Sequence, residues 1–200
     1  MNFLAHIALA SHDADAMLGA LLGDFASRSD EALLPVNIQR EIQLHRLVDT
    51  FTDQHPEVLA MRAGFDSPAR RYAGILLDIY FDLLLTRHWE RWYPQSRTAM
   101  IADFYQHLRY REAMLPPRLQ SLLPRMVQED WLASYGHWQG LERAVRRTAS
   151  RLSRHGEHLI AGLPHLQAQD SILEQGFLRF YPELIRHTEA QRKRLLLTAS

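Results

Sequence analysis

Cysteine is absent from the sequence. Disulfides, thiolate metal sites and cysteine nucleophiles are therefore excluded, and a reducing, cytoplasmic setting is the expectation. Net charge is lacking as well. The 23 basic and 23 acidic residues cancel, so bulk charge draws the chain toward neither nucleic acid nor a membrane surface. No apolar run is long enough to span a bilayer. The start, Met1-Asn2-Phe3-Leu4-Ala5-His6, has no basic region, and His6 interrupts its apolar stretch, so neither a signal peptide nor a membrane helix is expected. Strand-like alternation is missing too. There is no glycine-rich phosphate loop and no Gly-x-Ser-x-Gly nucleophile setting.

What is present is helical periodicity nearly everywhere. The 200 residues suit one all-α domain, a helical bundle spanning 1–200. A first short helix is expected over 2–10 and a second over 14–27, where Gly19 and Gly23 allow another backbone to approach closely. Residues 29–34 read as a polar loop. Pro35 opens a third helix, 36–54, and a fourth runs over 57–64. A central helix starts with Ser67 as cap and Pro68 at its first position, and extends to Trp89. Ser96 caps a helix to about Met114. Further helices are expected over 119–135, 141–154 and 167–197, with Pro182 bending or splitting the last.

The central helix carries an anomaly. Its residues 75–89 are apolar over almost the whole circumference, as in a helix buried on several sides. Asp78 and Asp82 nevertheless sit in its middle, four apart, with Cβ atoms roughly 5–6 Å from each other. Two like charges in that setting cost several kcal/mol, on the order of 3–5, unless a cation lies between them. Arg71 and Arg87 are the nearest basic residues in sequence, so a bound metal is the economical reading. Buried acids satisfied by arginine or tyrosine from other helices are the plainer one. Other metal-capable side chains lie on apolar faces: His6 on the first helix, Asp24 directly after Gly23, and His45 with Asp49 and Asp53 on the third. We therefore take His6, Asp24, His45 and Asp78 as candidate metal ligands. Asp24, His45, Asp49, Asp78 and Asp82 are the candidate catalytic set, with Asp53 orienting His45 or a water. Imidazole and carboxylate without sulfur suit manganese, iron(II) or magnesium. Asp103 and His107, also four apart, read as a solvated surface pair.

Four blocks carry a family resemblance: Asn2-Phe3-Leu4-Ala5-His6; Gly19 through Phe25; His45-Arg46-Leu47-Val48-Asp49-Thr50-Phe51-Thr52-Asp53; and Leu77-Asp78 through His88-Trp89. Phe180-Tyr181-Pro182 is a weaker echo. In order and spacing they resemble the acyl carrier protein phosphodiesterases, also called acyl carrier protein hydrolases, closely over the first half and loosely over the second. That family is similar to the HD phosphohydrolases, all-helical metal enzymes. The resemblance implies an HD-phosphohydrolase-like fold and hydrolysis of the phosphodiester between 4′-phosphopantetheine and a serine of holo acyl carrier protein, with manganese favoured. The sequence departs from the ordinary HD pattern, because the expected His-Asp slot holds His45-Arg46. A literal His12-Asp13 pair falls in the polar turn between the first two helices and reads as a decoy.

On the substrate side, Arg46 is a candidate for a forked contact with the phosphodiester. Acyl carrier proteins are acidic as a family. Arg143, Arg147 and Arg151, with Arg154 beyond them and Arg146 at the flank, form a basic stripe on the helix over 141–154 and are candidate docking residues. Two other functions stay open: the same chemistry on a small phosphodiester or nucleotide, and a non-catalytic helical protein that binds metal or a carrier protein.

Overall fold

The structure, a computed structural model, describes residues 1–197. Its helices are α1 (Phe3–Leu9), α2 (Ala14–Leu22), α3 (Arg28–Glu31), α4 (Val36–Gln54), α5 (Pro56–Ala63), α6 (Ala73–Arg87) and α7 (Arg97–Tyr110). They continue as α8 (Pro117–Gln128), α9 (Trp131–Ser134), α10 (Trp138–Ala149), α11 (Gly156–Ile160), α12 (Leu163–Ala168) and α13 (Asp170–Leu197). No strand occurs among the described residues, and the architecture is an all-α bundle consistent with an HD-phosphohydrolase-like fold. None of these helices is long and apolar enough to cross a membrane.

The helix α6 is the buried axis. Leu76, Leu77, Tyr80, Phe81, Leu84 and Leu85 are all excluded from solvent, each large apolar side chain being worth roughly 1.5–3 kcal/mol of burial. Phe81 meets Phe177 and Phe180 of α13 at ring separations of 5.3 and 5.6 Å. The weak C-terminal echo, Phe180-Tyr181, is thereby core. The expected start of this helix is corrected. Residues 69–72 wind as a 3-10 turn and α6 begins only at Ala73. Arg70 accounts for the delay, because it donates back to the carbonyls of Phe65 and Ala63 and holds the segment as a turn.

Glycine sets the approach of α2 to α4. A Cβ on Gly19 would lie 2.6 Å from Glu41 Cβ and 2.7 Å from the Ile38 carbonyl, so only glycine fits the crossing. The segment expected as a polar loop contains α3, with Ser27 and Asp30 closing a reciprocal capping box. The helix expected over 119–135 is two, because Asp130 takes a left-handed conformation (φ 41°) and caps α9 through Ala133 N. α10 ends at Ala149, short of Arg151 and Arg154. α13 runs unbroken through Pro182.

Candidate metal centre

Four elements converge on one place. α4 presents His45 and Asp49 one turn apart on the same face. His45 Nε2 lies 3.1 Å from Asp49 Oδ2, and His6 Nε2, from α1, lies 3.0 Å from Asp49 Oδ1. The two imidazoles stack with centroids 3.7 Å apart and planes 16° apart. His45 Nδ1 donates to the Ala20 carbonyl at 2.7 Å, which leaves Nε2 as the nitrogen facing the acids. Asp24, in the turn after α2, reaches to 3.9 Å from His45 Nε2. Gly23 seats the ring, since a Cβ there would lie 2.2 Å from His45 Cγ.

Asp78 joins from α6 through a shared cation. The amino group of Met1 is 3.0 Å from Asp49 Oδ1 and 3.1 Å from Asp78 Oδ1. The histidines are buried, whereas the side chains of Asp24, Asp49 and Asp78 stay 40%, 40% and 34% exposed. Asp78 is thus at a rim rather than sealed inside the helix packing.

The electrostatics follow from this crowding. Burial, then the adjacent His45, push the His6 imidazole down to about 3. Burial pulls His45 down too, but Asp49 and Asp24 outweigh it and its net direction is upward. For Asp49 burial acts upward, yet the hydrogen bonds from His45 and His6 hold it well below the usual carboxylate range. Burial raises Asp24 and Asp78, with Asp49 adding to both.

Asp82 does different work. Fully buried, it accepts from Leu4 N at 3.0 Å, Ala5 N at 2.9 Å and Asn2 Nδ2 at 2.8 Å. It caps the amino end of α1, which has no side-chain cap of its own. Burial pushes it up to about 7, against these donors. A single cation shared between Asp78 and Asp82, the reason for singling them out, is therefore replaced by two separate arrangements. The helix geometry put both acids on one face, but Asp82 turns to the backbone of α1.

Donor atoms of His6, His45 and Asp49 all lie within 4.8 Å of one another. With Asp24 and Asp78 at the same rim, the nitrogen and oxygen set fits a divalent ion that tolerates imidazole and carboxylate together. The Met1 ammonium between two of the carboxylates is itself a cation held there. Other expected participants are elsewhere. Arg46 forks onto Glu31 at 2.5 and 3.3 Å. Asp53 pairs with Arg62 at the surface. His12 and Asp13 lie in an exposed turn, where Asp13 caps α2 by accepting from Ala16 N. His107 pairs with Asp15 rather than with Asp103. His88 bonds Glu174, and Trp89 is buried. A second grouping, His155, Glu157 and His158, is largely exposed and contains none of the expected site residues.

Sequence reading missed two contributors. Glu41 is one turn before His45 on α4 and forms an ion pair behind the histidines with Arg192 of α13, at 2.9 Å. Its signal was present as the series Glu41, His45, Asp49 at steps of four. The Met1 amino group had no such signal.

The family model for acyl carrier protein phosphodiesterase matches residues 1–184, well beyond the first half of the chain. Proteins named acyl carrier protein phosphodiesterase from Escherichia coli O157:H7 and from Escherichia coli K12 (DH10B) are each 33% identical to this chain over 199 residues, covering 98% of it and 100% of the relative. No solved structure matches it. The four sequence blocks, the helices that carry them and the full-length similarity agree: this chain belongs to the acyl carrier protein phosphodiesterase family.

Proposed function

We propose that the protein hydrolyses the phosphodiester joining 4′-phosphopantetheine to the serine of holo acyl carrier protein, releasing apo carrier and 4′-phosphopantetheine. One observation supports the reading: in a chain of this family, donor atoms of His6, His45 and Asp49 lie within 4.8 Å of one another, with Asp24 beside His45 and Asp78 joined to Asp49 through the Met1 amino group. His6, Asp24, His45, Asp49 and Asp78 would hold a divalent ion; the donor set suits manganese, magnesium or iron(II), and the family resemblance favours manganese. Such an ion supplies positive charge for phosphoryl oxygens and acidifies water.

The chain's own residues do the rest. The Ala20 carbonyl fixes the tautomer of His45, and the α1–α6 contact through Asp82 fixes the position of His6. We assign Asp24, whose side chain is 40% exposed, to accept a proton from the attacking water. Water oxygen bonds to phosphorus, the bond from phosphorus to the serine oxygen breaks, and that oxygen takes up a proton. Arg143, Arg147 and Arg151 are assigned to carrier docking. Arg46 is reassigned to holding α3 through Glu31.

The test is release of 4′-phosphopantetheine from holo carrier, read by mass. Activity vanishes on chelation, returns best with manganese, and is abolished in Asp78→Ala with its helical circular dichroism retained. Full turnover with metal content verified at zero overturns the reading.

A further inference from the structure

Two arginine-bearing helices from the second half of the chain face each other across a groove of about 640 Å3 between α8 and α10, with Trp131 of α9 lining it. Arg125 from α8 and Arg143, Arg146 and Arg147 from α10 line it; Arg151, just past the end of α10, reaches toward the Trp131 ring, and Arg118 of α8 is near enough to act on the charge of Arg151. Among the described residues two carboxylates answer them: Glu129 pairs with Arg125 and Glu142 with Arg146, each at 2.7 Å. Among the described residues, no carboxylate pairs with Arg118, Arg143 or Arg151.

Arg147 is not a free arm. Its guanidinium lies 3.6 Å above the ring of buried Trp131, and its Nη2 is 3.4 Å from the Tyr135 hydroxyl. Arg151 approaches the same indole at 6.0 Å. Burial first, and then Arg147, Arg118 and Arg125, depress the Arg151 guanidinium, so these charges feel one another. Concentrated like charge of this kind is unfavourable in the isolated chain and becomes an asset only against an anionic partner. Arginine forks also match carboxylates better than lysine would.

Arg118 connects these arginines to the candidate site. Arg118 lies 5.5 Å over the ring of Phe25, which directly follows Asp24, and Phe25 meets Phe3 at 5.6 Å. On the other flank Arg147 meets the hydroxyl of Tyr135, which is buried. Arg118 and the aromatic pair Phe25 and Phe3 thus stand between the arginines and the turn that carries Asp24.

We propose that this groove, with Arg118 and Arg151 flanking it and Arg147 held over Trp131, docks the acidic face of the protein substrate and orients its phosphodiester toward Asp24. The proposal rests on the phosphodiesterase reading and adds residues of α8 that the helical stripe on α10 does not contain. The experiment measures turnover of holo carrier and, separately, binding of apo carrier at low salt, in wild type, Arg118→Glu/Arg151→Glu, and an Arg186→Glu control on α13. The double reversal is expected to raise KM about tenfold, to weaken apo-carrier binding alike, and to leave kcat within about twofold, the defect shrinking as salt screens it over about 10 Å. The control is expected to match wild type. If the double reversal unfolds, Arg118→Gln/Arg151→Gln serves, with a smaller shift in the same direction. Wild-type KM and affinity in the variants, with wild type active, overturn the groove. Arginine-dependent binding of apo carrier without any 4′-phosphopantetheine release sustains the groove and overturns the catalytic reading instead.

Discussion

Gly23→Ala isolates the seating of His45 from everything else. Gly23 has ordinary right-handed helical geometry (φ −51°, ψ −31°), so alanine meets no backbone penalty. In open space the exchange would stabilise by about 0.4–1 kcal/mol through the unfolded chain. Here the new Cβ would lie 2.2, 2.4 and 2.6 Å from Cγ, Cδ2 and Nδ1 of His45. The ring has nowhere to retreat, because His6 stacks on it and Ala20 holds Nδ1. Overpacking of this kind costs about 1–3 kcal/mol, so the sign reverses and a net loss of about 1–2 kcal/mol is expected. Turning Nε2 away from the acids should also cost about 10–100-fold in metal affinity, by analogy with lost orienting contacts. Urea denaturation of the metal-free protein gives the first quantity and calorimetric manganese titration the second. A variant more stable than wild type with unchanged affinity would refute the seating of His45 by Gly23.

Asp82→Ala leaves the N–H groups of Leu4 and Ala5 without an acceptor and should cost about 2–5 kcal/mol, with Asp82→Asn milder because one acceptor oxygen remains; an unchanged denaturation midpoint sinks the capping role. His12→Ala with Asp13→Ala should lower stability by about 1 kcal/mol through the lost cap while turnover stays within about a few-fold of wild type. Total loss of turnover would contradict its placement outside the site. Metal affinity should rise with pH above the usual histidine value. His45 is shifted upward in the fold, so its proton stabilises the metal-free protein below 6.5 and is lost as pH rises through the folded value, whereas the ion needs the neutral ring. Titrations in buffers of differing ionisation enthalpy should show proton release on binding, and affinity flat from about pH 6 to about pH 8 would argue against His45 as a ligand.

Much of this was legible in the sequence because helical periodicity is a local property. The span of α4 follows from Pro35 and its apolar stripe, and the stripe's change from Ile38 and Ile42 to His45 and Asp49 marked the site. The spacing of Gly19 and Gly23 likewise announced a close approach. Helix ends decided by distant partners were not legible. Arg70 delays α6 by reaching back to the carbonyls of Ala63, at the end of α5, and Phe65 just beyond it, and Asp130 divides the helix expected over 119–135 through one left-handed residue. Spacing on α6 put Asp78 and Asp82 on one face but carried no information about the α1 backbone that claims Asp82. Arg46 shows the same limit, since adjacency to His45 in sequence says nothing of Glu31.

The claim of Asp82 on α1 also fixes an order of events during synthesis. α1 has seven residues, far below the length at which a helix persists alone in water. Its cap is supplied from 77 and 78 positions downstream. The segment that brings His6 leaves the ribosome before α6, yet its helical start is capped only after α6 has emerged and docked. Until then Phe3, Leu4 and Ile7 are exposed apolar side chains on a nascent chain, and the candidate site lacks one of its two imidazoles. Amide exchange in α1 should accordingly open together with α6 rather than fray independently as an ordinary chain end does.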